Sequence, residues 1–140
     1  MYENPRSAVL AILATLVLRG SALAADYEVE FGAQTDAGKD AGVVRCVFDK
    51  TCEASLPTLK LKADIYVPRH ETERADVSLR GDDLSCCYFA YAKDSITVDP
   101  ATPVSRIPFF RGAGARRGLF IENEPAGALF LRFRFLGDEL

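Results

Sequence analysis

Thr58-Leu59-Lys60-Leu61-Lys62-Ala63-Asp64-Ile65-Tyr66-Val67 decides the fold. Successive side chains of an extended chain point to opposite sides, so Leu59, Leu61, Ala63, Ile65 and Val67 share one face and Lys60, Lys62, Asp64 and Tyr66 the other. One face is apolar and the other wet, as expected of a strand in an antiparallel sheet; strands of parallel sheets are apolar on both faces. Pro68 ends the run, since proline cannot donate to a ladder.

Downstream, residues 69–74 form a charged connection, and Ala75, Val77 and Leu79 then alternate with Asp76, Ser78 and Arg80 up to the turn Gly81-Asp82-Asp83. Leu84-Ser85-Cys86-Cys87-Tyr88-Phe89-Ala90-Tyr91 is almost wholly apolar, the composition of a strand through the middle of a core. Lys93-Asp94 reads as a turn, Ser95-Ile96-Thr97-Val98 as a short strand, and Asp99-Pro100 as its end. Prolines interrupt residues 101–108 too often for an interior strand. Two runs, Gly118-Leu119-Phe120-Ile121-Glu122 and residues 127–136, flank the hairpin connection Asn123-Glu124-Pro125-Ala126. In the last run Leu129, Leu131, Phe133 and Phe135 face the core, and Arg132 and Arg134 face outward along an edge strand open to a partner.

Upstream, Tyr27, Val29 and Phe31 alternate with Glu28 and Glu30 and the strand stops at Gly32. Residues 33–42 are polar and punctuated by glycine, which reads as a loop. Val43-Val44-Arg45-Cys46-Val47-Phe48 is a β-branched and aromatic strand, followed by the turn Asp49-Lys50-Thr51. About eight short strands at this spacing, with no helical period, predict an all-β domain: a single small antiparallel β-sandwich, with a small open β-barrel as the alternative.

The N-terminus has the order of a secretory signal peptide. A charged start is followed by an apolar run over residues 8–18 and then by the small residues Ala22-Leu23-Ala24-Ala25 at a cleavage site. That run is well short of the roughly 20 residues that span a bilayer, so cleavage is expected in place of membrane anchoring. Residues 1–24 are the signal and residues 25–140 a single β domain, periplasmic or secreted. The chain is mildly acidic, with a formal net charge of −3 at pH 7. A protein that neutralises phosphates needs a basic surface, so nucleic acid is not an expected partner.

The four cysteines, Cys46, Cys52, Cys86 and Cys87, all follow the signal, and an even number in an exported domain reads as two disulfides. A local Cys46–Cys52 bridge is within reach, but it forces Cys86 onto Cys87, and neighbours on a regular strand point to opposite faces. Crossed pairing is therefore expected, with Cys46 and Cys52 each bonded to one member of the Cys86-Cys87 pair. The spacing lacks the paired pattern of a zinc site, and no cofactor is expected.

No catalytic constellation is visible. Nucleophilic hydrolysis needs a base beside the nucleophile, and the sole histidine, His70, sits in a charged loop. The carboxylates Asp82, Asp83 and Asp94 are the residues a hydrolase would use, but turns favour aspartate for backbone hydrogen bonding alone. The distinctive surface candidate spans residues 107–118, in which Phe109, Phe110, Arg111, Arg116 and Arg117 lie on a glycine-rich loop. Aromatic residues and arginine dominate binding hot spots, and loops on a rigid scaffold carry function. The expected function is a binding or inhibitory module acting on an acidic protein or glycan of the cell envelope. A structural component of an envelope assembly and a carboxylate-dependent hydrolase are the alternatives.

Overall fold

Alternation of apolar and polar residues resolves into nine strands among the residues described by the computed structural model, which are 24–82, 86–111 and 125–137. They are β1 (Tyr27–Thr35), β2 (Gly38–Cys46), β3 (Cys52–Leu56), β4 (Leu61–Tyr66), β5 (Ala75–Gly81), β6 (Cys86–Phe89), β7 (Ser95–Val98), β8 (Ser105–Arg111) and β9 (Gly127–Phe135). A single turn of 3-10 helix, Ala90–Ala92, follows β6. The strands form two antiparallel sheets, one in the order β2-β1-β9-β8-β6 and the other β3-β4-β5-β7. Both sheets keep free edges, so the molecule is a sandwich and not a closed barrel.

The inward faces meet in one core. Tyr27 and Val29 of β1, Leu129 and Leu131 of β9 and Phe109 of β8 pack against Leu56, Ala63, Ile65 and Val77 of the second sheet, all essentially without exposure. Each large side chain so buried contributes about 1.5–3 kcal/mol relative to water. The outward faces carry charge. Arg80 reaches both Asp64 (2.8 Å) and Glu53 across β5, β4 and β3, while Arg134 meets Glu28 (3.2 Å) and Arg132 meets Glu30 (3.7 Å) across β9 and β1. At one end, Tyr27, Phe48, Phe133 and Phe135 form an aromatic cluster, and the Arg69 guanidinium lies 5.5 Å from the centre of the Phe48 ring.

Several expectations are corrected. Residues 33–42 are not a loop: β1 and β2 form one long hairpin, closed by the pair Thr35 and Gly38. Gly38 takes the turn's left-handed backbone (φ 147°), and the Thr35 hydroxyl accepts the Ala37 N–H at 3.1 Å. Gly32, expected to end the first strand, lies inside β1 opposite Ala41, and Gly42 lies opposite Phe31, where a Cβ would come within 2.8 Å of the Phe31 ring, a close approach inside a strand. Likewise β4 starts only at Leu61, because Lys60 adopts a left-handed turn conformation (φ 55°).

The Cys86-Cys87 stretch is not central. β6 has four residues and is the outer strand of its sheet, next to β8 alone. β8, conversely, is interior despite Pro108. The last pairing of β8 with β6 is Phe109 with Phe89, so Pro108 lies past the end of that ladder, where no N–H is required of it. The arginine-bearing β9 is not an edge either, since β1 and β8 flank it on both sides.

The crossed disulfides are replaced by a local bridge. Cys46 ends β2, the outer strand of one sheet, and Cys52 begins β3, the outer strand of the other; the chain crosses between sheets in the intervening turn. Their sulfurs are bonded at 2.02 Å, with Cα atoms 5.6 Å apart. β2 and β6 stand at opposite edges of the five-stranded sheet, four interstrand steps or about 19 Å apart, far outside disulfide reach. Cys86 is paired with Cys87 across a cis peptide bond. The regular-strand geometry that argued against this does not apply, because the register of β6 shifts between Cys86 and Tyr88.

Candidate functional site at the Arg111 end of the sandwich

The residues singled out for binding separate in space. Phe109 is 1 % exposed and points into the core, with its carbonyl accepting the Ala126 N–H at 2.8 Å. Phe110 lies on the outer face but is only 8 % exposed, because Tyr88 of β6 stacks on it at 5.5 Å. Both are strand residues whose surface is consumed by packing. Arg111, the last residue of β8, is exposed. Arg116 and Arg117 lie outside the described residues, as do Asp83, residues 118–122 and residues 1–23 of the expected signal.

Arg111 borders a cavity of about 340 Å³ where the two sheets end. Three pieces of chain build it. The β1–β2 hairpin supplies Thr35 and Ala37, the β3–β4 turn supplies Thr58, Leu59, Lys60 and Leu61, and the end of β5 supplies Gly81 and Asp82; Cys86, Phe109 and Arg111 complete the wall. Leu59, Leu61 and Phe109 give it an apolar floor, with Lys60, Arg111 and Asp82 as charged groups around it.

Backbone hydrogen bonds hold this wall. The Lys60 N–H donates to the Pro57 carbonyl and the Asp82 N–H to the Lys60 carbonyl, each at 3.2 Å. The Asp40 carboxylate accepts the Leu59 N–H at 2.9 Å, which ties β2 to the turn. Two cations and one carboxylate at the mouth of an apolar recess can hold an acidic group by charge-assisted hydrogen bonds while its apolar part is covered.

The chain matches no known protein family, no curated protein and no solved structure.

The other candidates do not converge on this cavity. His70 is exposed in the connection between β4 and β5, and Asp94 precedes β7 without lining the cavity, whereas Asp82 borders it. Among the described residues no group of three or more His, Cys, Asp or Glu side chains is placed to hold a metal ion. Lys60 and the threonines Thr35 and Thr58 were not visible as site residues in sequence. Lys60 reads there as one more solvated position of an alternating strand, and its turn conformation carries no sequence signal.

At the opposite end, the buried Tyr27 hydroxyl has no partner in hydrogen-bond geometry. Burial pushes its pKa up to about 12, against a smaller opposing pull from the Val67 backbone N–H.

Proposed function

We propose that this chain is an exported binding module that takes an acidic protein or glycan of the cell envelope, in the periplasm or outside the cell, at the end of the sandwich bearing Arg111. The observation that carries the reading is the recess between the sheet ends, with Lys60 and Arg111 around an apolar floor on turns fixed by backbone bonds. Arginine recognises carboxylates and sulfates through paired N–H donors, and lysine adds a second charge that is not tied to one geometry. Apolar floor residues suit the uncharged face of a sugar or an aliphatic side chain.

Export is supported by the signal-like order of residues 1–24 and by the Cys46–Cys52 disulfide, since disulfides persist in oxidising compartments. The absence of a visible nucleophile and base pair is why binding is preferred to hydrolysis.

The test uses two acidic probes, immobilised heparin and immobilised polyglutamate, eluted with rising salt. The wild-type protein is retained, and the double variant Lys60→Ala/Arg111→Ala elutes at distinctly lower salt with an unchanged melting temperature. A triple variant at Arg111, Arg116 and Arg117 extends the test to the segment after β8. Equal retention of all three proteins would remove this end of the sandwich from consideration.

A further inference from the structure

Sheet edges present backbone donors and acceptors that their own sheet does not use. Among the described residues the edges are β2, β6, β3 and β7, of nine, four, five and four residues respectively. β2 is the long one. It keeps one register against β1 along its whole length and contains neither a bulge nor a proline.

The hairpin fixes which way its backbone points. A two-residue turn closes on a mutually hydrogen-bonded pair, here Thr35 and Gly38, and hydrogen-bonded pairs recur at every second residue. Gly38, Asp40, Gly42, Val44 and Cys46 therefore turn their N–H and C=O groups to β1. The Cys46 carbonyl does accept from that side, at 2.9 Å from the Asp26 nitrogen. Lys39, Ala41, Val43 and Arg45 turn theirs to the free edge. The Arg45 carbonyl does so visibly, 3.6 Å from the Cys52 sulfur of the other sheet.

The side chains add to this. Val43 is 58 % exposed, and it forms one wall of an apolar groove of about 560 Å³ on the outer face, with Gly32 and Ala41 below and Phe130 and Val104 beyond. An exposed β-branched residue beside unused backbone groups is a site for strand addition.

We propose that β2 is a homodimer interface, in which two copies pair antiparallel about a two-fold axis at Val43 and join their five-stranded sheets. In that register Val43 meets the partner's Val43, Ala41 faces the partner's Arg45, and Asp40 faces the partner's Cys46. No like charges oppose each other, and the Arg45 charge is already compensated by Glu28 at 3.5 Å. Pairing centred on Gly42 instead sets Lys39 against the partner's Arg45, which is repulsive. The sequence around Val43 is thus complementary to itself, which a closed two-fold interface requires.

Sedimentation of the oxidised chain from about 1 μM to 1 mM, the range of weak specific association, tests this. The wild type passes from monomer to dimer. Val43→Pro removes only an outward N–H, so it keeps the wild-type circular dichroism and melting temperature and weakens the dimer at least tenfold. If that variant fails to fold, Val43→Lys replaces it by setting like charges on the axis.

Hydrogen-bonded antiparallel pairs have Cα atoms about 5.5 Å apart, within disulfide reach. Val43→Cys therefore forms a covalent dimer on oxidation and Ala41→Cys does not. A wild type that stays monomeric, a Val43→Pro protein that dimerises like the wild type, or equal cross-linking of both cysteine variants would overturn the proposal.

Discussion

Replacing Cys46 and Cys52 together by alanine removes the bridge between the outer strands of the two sheets and nothing else from the core. The bridge joins residues six apart, so it closes a loop of about seven residues. In the chain-entropy account such a loop removes about 8 cal/mol/K from the unfolded state, or about 2.4 kcal/mol at 25 °C. Both sulfurs are buried, so their loss adds a smaller packing cost. A total near 3 kcal/mol is a large part of the 5–15 kcal/mol typical of a domain, and corresponds to a melting shift of roughly 10 °C. Urea unfolding with an unchanged m-value reads it directly. Thiol titration of the same variant finds no free thiol, because Cys86 and Cys87 keep each other as partners. Crossed pairing would close two loops of about 40 residues, worth about 4 kcal/mol each, and the variant would then expose two thiols. A loss below about 1 kcal/mol or the appearance of two thiols would refute the local bridge.

Other consequences follow from single residues. Gly127 opens β9 where a Cβ would run into the Gln34 backbone carbonyl oxygen and lie 2.7 Å from the Phe109 ring, so Gly127→Val costs about 3 kcal/mol or more in thermal unfolding, and an unchanged Tm would show that the packing there is loose. Tyr27 has a folded-state pKa raised to about 12 against an ordinary value of 10, so the folded protein holds its proton more tightly than the unfolded one. The stability this gives is complete below pH 10 and is lost as pH rises toward 12, by roughly 2 kcal/mol. Tyr27→Phe is within about 1 kcal/mol of wild type at pH 7 and loses most of that alkaline slope, whereas a variant that keeps the full slope would assign it to other groups.

Much of the fold was legible where one physical cause acts on a run of residues. β4 and β5 alternate cleanly because each is dry on one side and wet on the other, whereas β9 buries Ala128 beside Leu129 and leaves Phe135, expected to face the core, 42 % exposed. Glycine was misleading at Gly32 and Gly42, which lie inside β1 and β2, whereas Gly38 does serve the turn. Proline was misleading in β8, because its exclusion from interior strands depends on the neighbour's length, and β6 is short. Disulfide pairing depended on knowing which strands are edges, which no local pattern records. The recess at Arg111 was half legible. A surface arginine at the end of an aromatic run could be picked out, but the partners that make it a recess come from three turns distant in sequence.

The most direct measurement is a tryptic mass map of the unreduced, alkylated protein from its natural host. Cleavage after Arg45, Lys50, Lys60, Arg80 and Lys93 separates residues 46–50, 51–60 and 81–93, which between them hold all four cysteines. The account predicts the first two joined to each other, the third joined to nothing, no alkylated thiol, and an N-terminal peptide beginning at Ala25 or Asp26. A peptide of residues 81–93 linked to both others would contradict the fold's bridge, and alkylated cysteines on a chain that still begins at Met1 would contradict export.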